Sequence, residues 1–172
     1  MRNIVLIGFM GCGKSAVGRR LASKLKLKHI DTDSEIEKVT NRTVEQIFAK
    51  DGPFRFRSEE KILLKKLAGK QNLVISTGGG IVLDEENVEL LQKDGVLIHL
   101  FASPEVIHKR VKGRRNRPLL NRGNLKQRIN ELLEERTGAY DVADLAIDTG
   151  DYNVEEVVKE IINFLKEGKY LS

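Results

Sequence analysis

The chain carries a single cysteine, Cys12, in 172 residues, so no disulfide can form within it. A lone thiol suits a reducing compartment, and the cytoplasm is the expected location. No apolar run approaches the ~18 residues that a membrane span requires. The apolar run at residues 3–8 is too short for a signal peptide and ends in glycine, so it reads as a strand. Internal repeats, linkers and low-complexity segments are absent, and one compact domain is expected over residues 1–172. Glutamine is scarce beside abundant lysine and glutamate, a balance that leans towards a heat-adapted source. The net charge of +5 leaves two readings open, a nucleic-acid surface and a site for small anions.

Five apolar, β-prone segments remain, at residues 3–8, 29–31, 72–76, 96–100 and 145–147. Continuous rather than alternating apolar runs belong to strands covered on both faces. Helical patterns separate them at residues 14–25, 44–67, 85–93, 104–111, 125–135 and 154–165, the second broken by a Gly52-Pro53 turn. Ser103 followed by Pro104 reads as an N-cap and a first-turn proline. Strand–helix alternation predicts an α/β fold with a parallel sheet and right-handed crossovers.

The segment Gly8-Phe9-Met10-Gly11-Cys12-Gly13-Lys14-Ser15 matches G-x-x-x-x-G-K-[ST], with a buried strand leading in and an amphipathic helix leading out. Glycines let successive N–H groups turn towards phosphate oxygens, and the helix adds its positive end. Lys14 is expected to reach the β- and γ-phosphates of ATP, and Ser15 to offer its hydroxyl to Mg2+. Cys12, at a helix N-terminus, is a candidate for a lowered pKa and for inactivation by thiol reagents, with an inert space-filling role as the alternative.

Downstream lie Asp31-Thr32-Asp33, at the end of the second strand where α/β sheets bind ligands. The pair reads as one metal partner and one acceptor partner, although Asp33 alone would also serve as the cap of a helix starting at Ser34. Phe56-Arg57 and Glu60 follow, and then Ser76-Thr77-Gly78-Gly79-Gly80, three glycines that leave backbone amides open to a ligand. Lys109, Arg110, Lys112, Arg114, Arg115, Arg117 and Arg122 form a basic segment, but no aromatics interleave it for base stacking.

In this order, the P-loop, Asp31-Thr32-Asp33, Phe56-Arg57-x-x-Glu60, Gly78 to Gly80, Asn116-Arg117-Pro118-Leu119-Leu120 and Arg136-x-x-x-Tyr140 resemble the shikimate kinase family across nearly the whole chain. The resemblance implies a P-loop kinase fold of three layers, with a five-stranded parallel sheet in the order 2-3-1-4-5. It implies a substrate-binding segment at about residues 32–60 and a lid at about 112–123. It also implies transfer of the γ-phosphoryl group of ATP to the 3-hydroxyl of shikimate.

By the same resemblance, ATP is bound by Gly11, Cys12, Gly13, Lys14, Ser15, Ala16, Arg110 and Arg117, with Arg110 stacking on adenine. Lys14, Asp33 and Arg117 serve catalysis, and Ser15 and Asp31 hold Mg2+. Asp33, Arg57, Gly78, Gly79, Gly80 and Arg136 receive the acceptor, the two arginines gripping its carboxylate, and Glu60 fixes Arg57. The third strand ends Ile75-Ser76-Thr77 without the acid that often binds magnesium there, and Asp31 fills that place. Ala16 stands where threonine is common, and Tyr152-Asn153-Val154 where relatives have an arginine and Asn-Pro. A monomer is expected, with neither nucleic acid nor membrane as partner. A gluconate or nucleoside monophosphate kinase is the nearest other enzyme, and a nucleotide-dependent nucleic-acid binder the reading from another class.

Overall fold

Strand β1 (Asn3–Ile7) runs through the middle of a parallel sheet. On one side it pairs with β3 (Leu73–Ser76), which pairs with β2 (Lys28–Asp31). On the other it pairs with β4 (Gly95–Phe101), and β5 (Leu145–Asp148) closes that edge. The order β2-β3-β1-β4-β5 is the expected one. The computed structural model describes residues 1–112, 118–120, 123–150 and 152–171.

Successive side chains of a strand point to opposite faces, and β1 divides accordingly. Ile4 and Leu6 enter a core with Val17, Leu21, Ile107 and Ile161, whereas Val5 and Ile7 enter a second with Leu64, Leu67 and Leu91. Helices α1 (Lys14–Leu25), α5 (Pro104–Val111), α6 (Leu125–Glu135) and α7 (Val154–Glu167) supply the first face. Helices α3 (Val44–Leu67) and α4 (Glu85–Asp94) supply the other. Each such leucine or isoleucine contributes roughly 1.5–3 kcal/mol on burial. Two covered faces explain why the strands read as unbroken apolar runs.

Local chemistry sets where helices begin. Ser103 caps α5 by accepting from the Val106 amide, with Pro104 in the first turn. Thr43 with Gln46, and Asn153 with Glu156, form reciprocal capping boxes for α3 and α7. Gly52, at φ 77°, leaves helical geometry just before Pro53 and splits α3 into two runs. Helix α2 (Thr32–Thr40) begins earlier than a cap at Asp33 would place it. Its cap is Asp31, whose Oδ1 accepts from the Ser34 amide at 3.2 Å, and Asp33 stands in the first turn. A small third core of Ile36, Ile47 and Phe56 joins α2 to α3. Among the described residues no helix is long and apolar enough to cross a membrane.

Candidate active site

The C-terminal ends of β1, β2 and β3 face one cleft, because parallel strands all point the same way. The loop after β1 wraps the start of α1. Gly13, at φ 91°, occupies the α1 cap in a left-handed conformation that only glycine adopts without strain. Gly8 passes so close to β4 that a Cβ there would collide with the Leu100 carbonyl oxygen. Lys14 is buried, and its ammonium donates to the carbonyls of Gly8 and Phe9 at 2.7 and 2.8 Å. The lysine thus clasps the loop that it serves.

Ser15 Oγ donates to Asp31 Oδ2 at 2.6 Å. Asp31 therefore caps α2 with one oxygen and meets the P-loop serine with the other. A hydroxyl and a carboxylate side by side are hard oxygen donors of the kind magnesium prefers. The donor set thus fits the ion assigned to it. Ser76, standing where an acid is often found, donates its hydroxyl to the Lys14 carbonyl at 2.9 Å. That uses its one hydrogen, so His29 Nε2, 2.9 Å from the same oxygen, carries a proton and donates. Burial lowers the His29 pKa and favours the neutral ring.

Cys12 lies inside the core rather than at an exposed helix start. It is fully buried, and burial raises its pKa despite Lys14 and Arg110 nearby. The expected lowering is corrected, in favour of the space-filling alternative: desolvation of a thiolate outweighs the helix N-terminus when the sulfur faces the core.

A cavity of about 500 Å³ opens beside the P-loop, lined by Asp33, Phe48, Phe56, Arg57, Gly78, Gly79, Gly80, Pro118, Leu119 and Arg136. A phosphate-side cavity of about 240 Å³ includes Gly11, Gly13, Lys14, Ala16 and Arg110. Met10, Ser15, Arg19, Asp31, Asp33, Gly78 and Gly79 line both, so the two chambers meet at Asp33 and the glycines.

Arg57 and Arg136 both line the larger cavity. Arg57 Nη1 donates to Glu60 Oε2 at 2.6 Å. Glu60 is fully buried, and burial pushes its pKa up to about 7 against the opposing pull of Arg57. Arg136 is 4% exposed, and its Nη1 has no hydrogen-bond partner among the described residues. Its guanidinium lies 5.3 Å from the Phe9 ring centroid. A buried cation with an unused donor is costly unless something supplies an acceptor, and a ligand carboxylate does so.

The glycine triplet is tight against this machinery. A Cβ on Gly80 would come within 2.7 Å of Arg57 Cζ, and one on Gly78 within 2.7 Å of Asp33 Oδ1 and 2.9 Å of Glu60 Oε1. The Gly78 amide donates to Thr32 Oγ1 at 2.9 Å, tying the triplet to α2.

On the nucleotide side, Arg110 donates to the Gly11 carbonyl at 3.2 Å and to the Thr149 carbonyl at 2.6 Å. It lies between the P-loop and the loop after β5, while Tyr152 is half exposed and Asn153 caps α7. Arg117 and residues 113–116 and 121–122 of the expected lid lie outside the described residues. Sequence reasoning overlooked Arg19, whose signal was its position one helical turn after Ser15, and left Tyr140 without a role.

The profile of a family described as Shikimate kinase matches residues 10–166. A shikimate kinase of Pelotomaculum thermopropionicum is 64% identical over 171 residues, covering 99% of both chains. The chain belongs to the shikimate kinase family. A second shikimate kinase, from Desulforudis audaxviator, is 57% identical over 99% of this chain and 90% of its own. Among solved structures, the shikimate kinase from Acinetobacter baumannii, in complex with shikimate, is similar with a TM-score of 0.94 at 35% identity, covering 98% of this chain and 95% of that one. Membership decides among the kinase readings that the P-loop alone leaves open, and it sets aside gluconate and nucleoside monophosphates as the assigned acceptors.

Proposed function

We propose that the chain transfers the γ-phosphoryl group of ATP to the 3-hydroxyl of shikimate, giving shikimate 3-phosphate and ADP on the route to chorismate and the aromatic amino acids. The observation that carries this reading is the meeting of two chambers, one a phosphate cradle and the other a pocket with a buried arginine donor, at the carboxylate of Asp33.

The P-loop amides and Lys14 hold the β- and γ-phosphates. Ser15 and Asp31 hold Mg2+, which supplies charge neutralisation at the phosphates. Arg57 and Arg136 grip the shikimate carboxylate with the help of a triplet amide, since guanidinium groups bind carboxylates bidentately and lysine does not. Anchored at that end, the ring presents its hydroxyls to Asp33, which orients the nucleophilic oxygen and accepts its proton. Phosphoryl transfer has a loose transition state, so placement of the hydroxyl in line with the γ-phosphorus matters more than base strength. Arg110 meets the adenine. Arg117 neutralises charge on the moving group, and the segment at about 112–123 closes over the nucleotide to exclude water. The chain is taken to act as a monomer in the cytoplasm.

An ATP-coupled assay across shikimate, quinate, gluconate and AMP tests the reading. Shikimate is expected to be the preferred acceptor by kcat/KM, and Lys14→Met to abolish transfer while the circular dichroism stays native. Preference for any other acceptor overturns the proposal.

A further inference from the structure

Tyr140 lies far from the P-loop in the sequence and carries no assigned role, yet its hydroxyl donates to the Gly79 carbonyl at 2.7 Å across 61 residues. That carbonyl belongs to the peptide unit joining Gly79 to Gly80. No cis peptide bond occurs in the described chain, so the unit is trans and its N–H points opposite to its C=O. Fixing the carbonyl towards Tyr140 therefore aims the Gly80 N–H away from it. Among the described residues, no acceptor is bonded to the N–H of Gly79 or Gly80. Gly80 itself lies against the Arg57 guanidinium, and Gly79 against Arg136 Nη1, the unpaired donor.

Glycine peptides rotate freely unless something holds them, because no Cβ restricts them. Three in succession make a poor anion site unless one peptide plane is fixed from outside. Tyr140 is well placed to fix it. Its ring stacks on His99 with centroids 4.7 Å apart and an interplanar angle of 19°. His99 stays neutral there, its pKa lowered by burial to about 4, so the stack carries no charge change in the physiological range. Burial also raises the pKa of Tyr140, which keeps its hydroxyl protonated and able to donate. The Arg136 guanidinium lies beside the same hydroxyl. One side chain thus touches both the glycine triplet and the arginine of the acceptor pocket.

We infer that Tyr140 is a positioning residue for acceptor specificity: its hydroxyl, backed by the His99 ring, sets the orientation of the Gly79–Gly80 peptide and of Arg136 towards the substrate carboxylate. The inference rests on the proposed function and deepens it.

Tyr140→Phe keeps the stacked ring and removes only the hydroxyl. Losing one neutral hydrogen bond that orients a binding group is expected to raise KM for shikimate about tenfold. KM for ATP and the unfolding midpoint should stay near wild type. The decisive comparison uses shikimate and its carboxamide, which lacks the charge. The penalty of Tyr140→Phe is expected to fall mainly on the acid, reducing the preference for acid over amide severalfold. An unmoved KM for shikimate, equal penalties on acid and amide, or a parallel rise in KM for ATP overturns the inference while leaving the function standing. A wild-type chain that does not phosphorylate shikimate overturns the function itself, and this inference with it.

Discussion

Glu60 combines full burial, an arginine partner at 2.6 Å and a pKa near 7, so it titrates where the cell operates. Burial favours its protonated form, Arg57 opposes that, and Asp33 adds to it. A substrate carboxylate arriving at Arg57 brings further negative charge close to Glu60 and raises its pKa again. Binding near pH 7 should therefore take up protons, and affinity should fall as pH rises, by about two- to threefold between pH 6 and 8 for a shift of half a unit or so. Titration calorimetry in buffers of different ionisation enthalpy measures the uptake. Glu60→Gln should abolish it, and uptake that persists in that variant would assign the proton elsewhere. The presence of an acid partner for Arg57 was implied by the resemblance of the Phe56-Arg57-x-x-Glu60 motif, but its proton was not. A pKa depends on which groups the fold brings round it, and here Asp33 and Arg136 approach from other elements. The role inferred for Tyr140 was hidden for a similar reason, since its partner is a backbone carbonyl, and a carbonyl looks the same at every position.

Helix α1 carries the P-loop lysine and serine, so its seating on the sheet sets where the phosphates sit. The contact is close: a Cβ on Gly18 would collide with Ser76 Oγ and come within 2.7 Å of His29 Nε2. Ser76 cannot withdraw without breaking its bond to the Lys14 carbonyl, nor His29 without breaking its bond to Ser76. Gly18→Ala is therefore expected to cost roughly 1–3 kcal/mol. Urea unfolding should show a lower midpoint at an unchanged m-value, and wild-type stability in that variant would mean that α1 has room to shift. Strands and most helices were readable at this scale because two-sided burial leaves continuous apolar runs and caps leave polar signatures. The start of α2 was less so. Asp31-Thr32-Asp33 carries both a capping signal and a ligand signal, and sequence alone does not say which aspartate does which. In the structure Asp31 caps α2 and accepts from the Ser15 hydroxyl, and Asp33 lies at the junction of the chambers.

At the scale of the whole molecule, a cleft built from the ends of three strands and the starts of two helices couples ligand binding to global stability. Nucleotide at about 100 times its dissociation constant should add about 2.7 kcal/mol. For a chain of this size that corresponds to a rise in Tm of ~5–10 °C. Thermal melts with and without saturating ADP check this, and an unmoved Tm would count against the phosphate cradle at residues 8–15. The net charge of +5, ambiguous in the sequence, fits a molecule whose two substrates are both anions. The burial of Cys12 has a practical consequence. The native thiol is the only one in the chain, and it is both inaccessible and held in its unreactive form. A cysteine introduced on the surface, for example in place of Lys112, would therefore be the one site that maleimide dyes modify in the folded protein. Nucleotide binding could then be followed by fluorescence with the native P-loop sequence left intact.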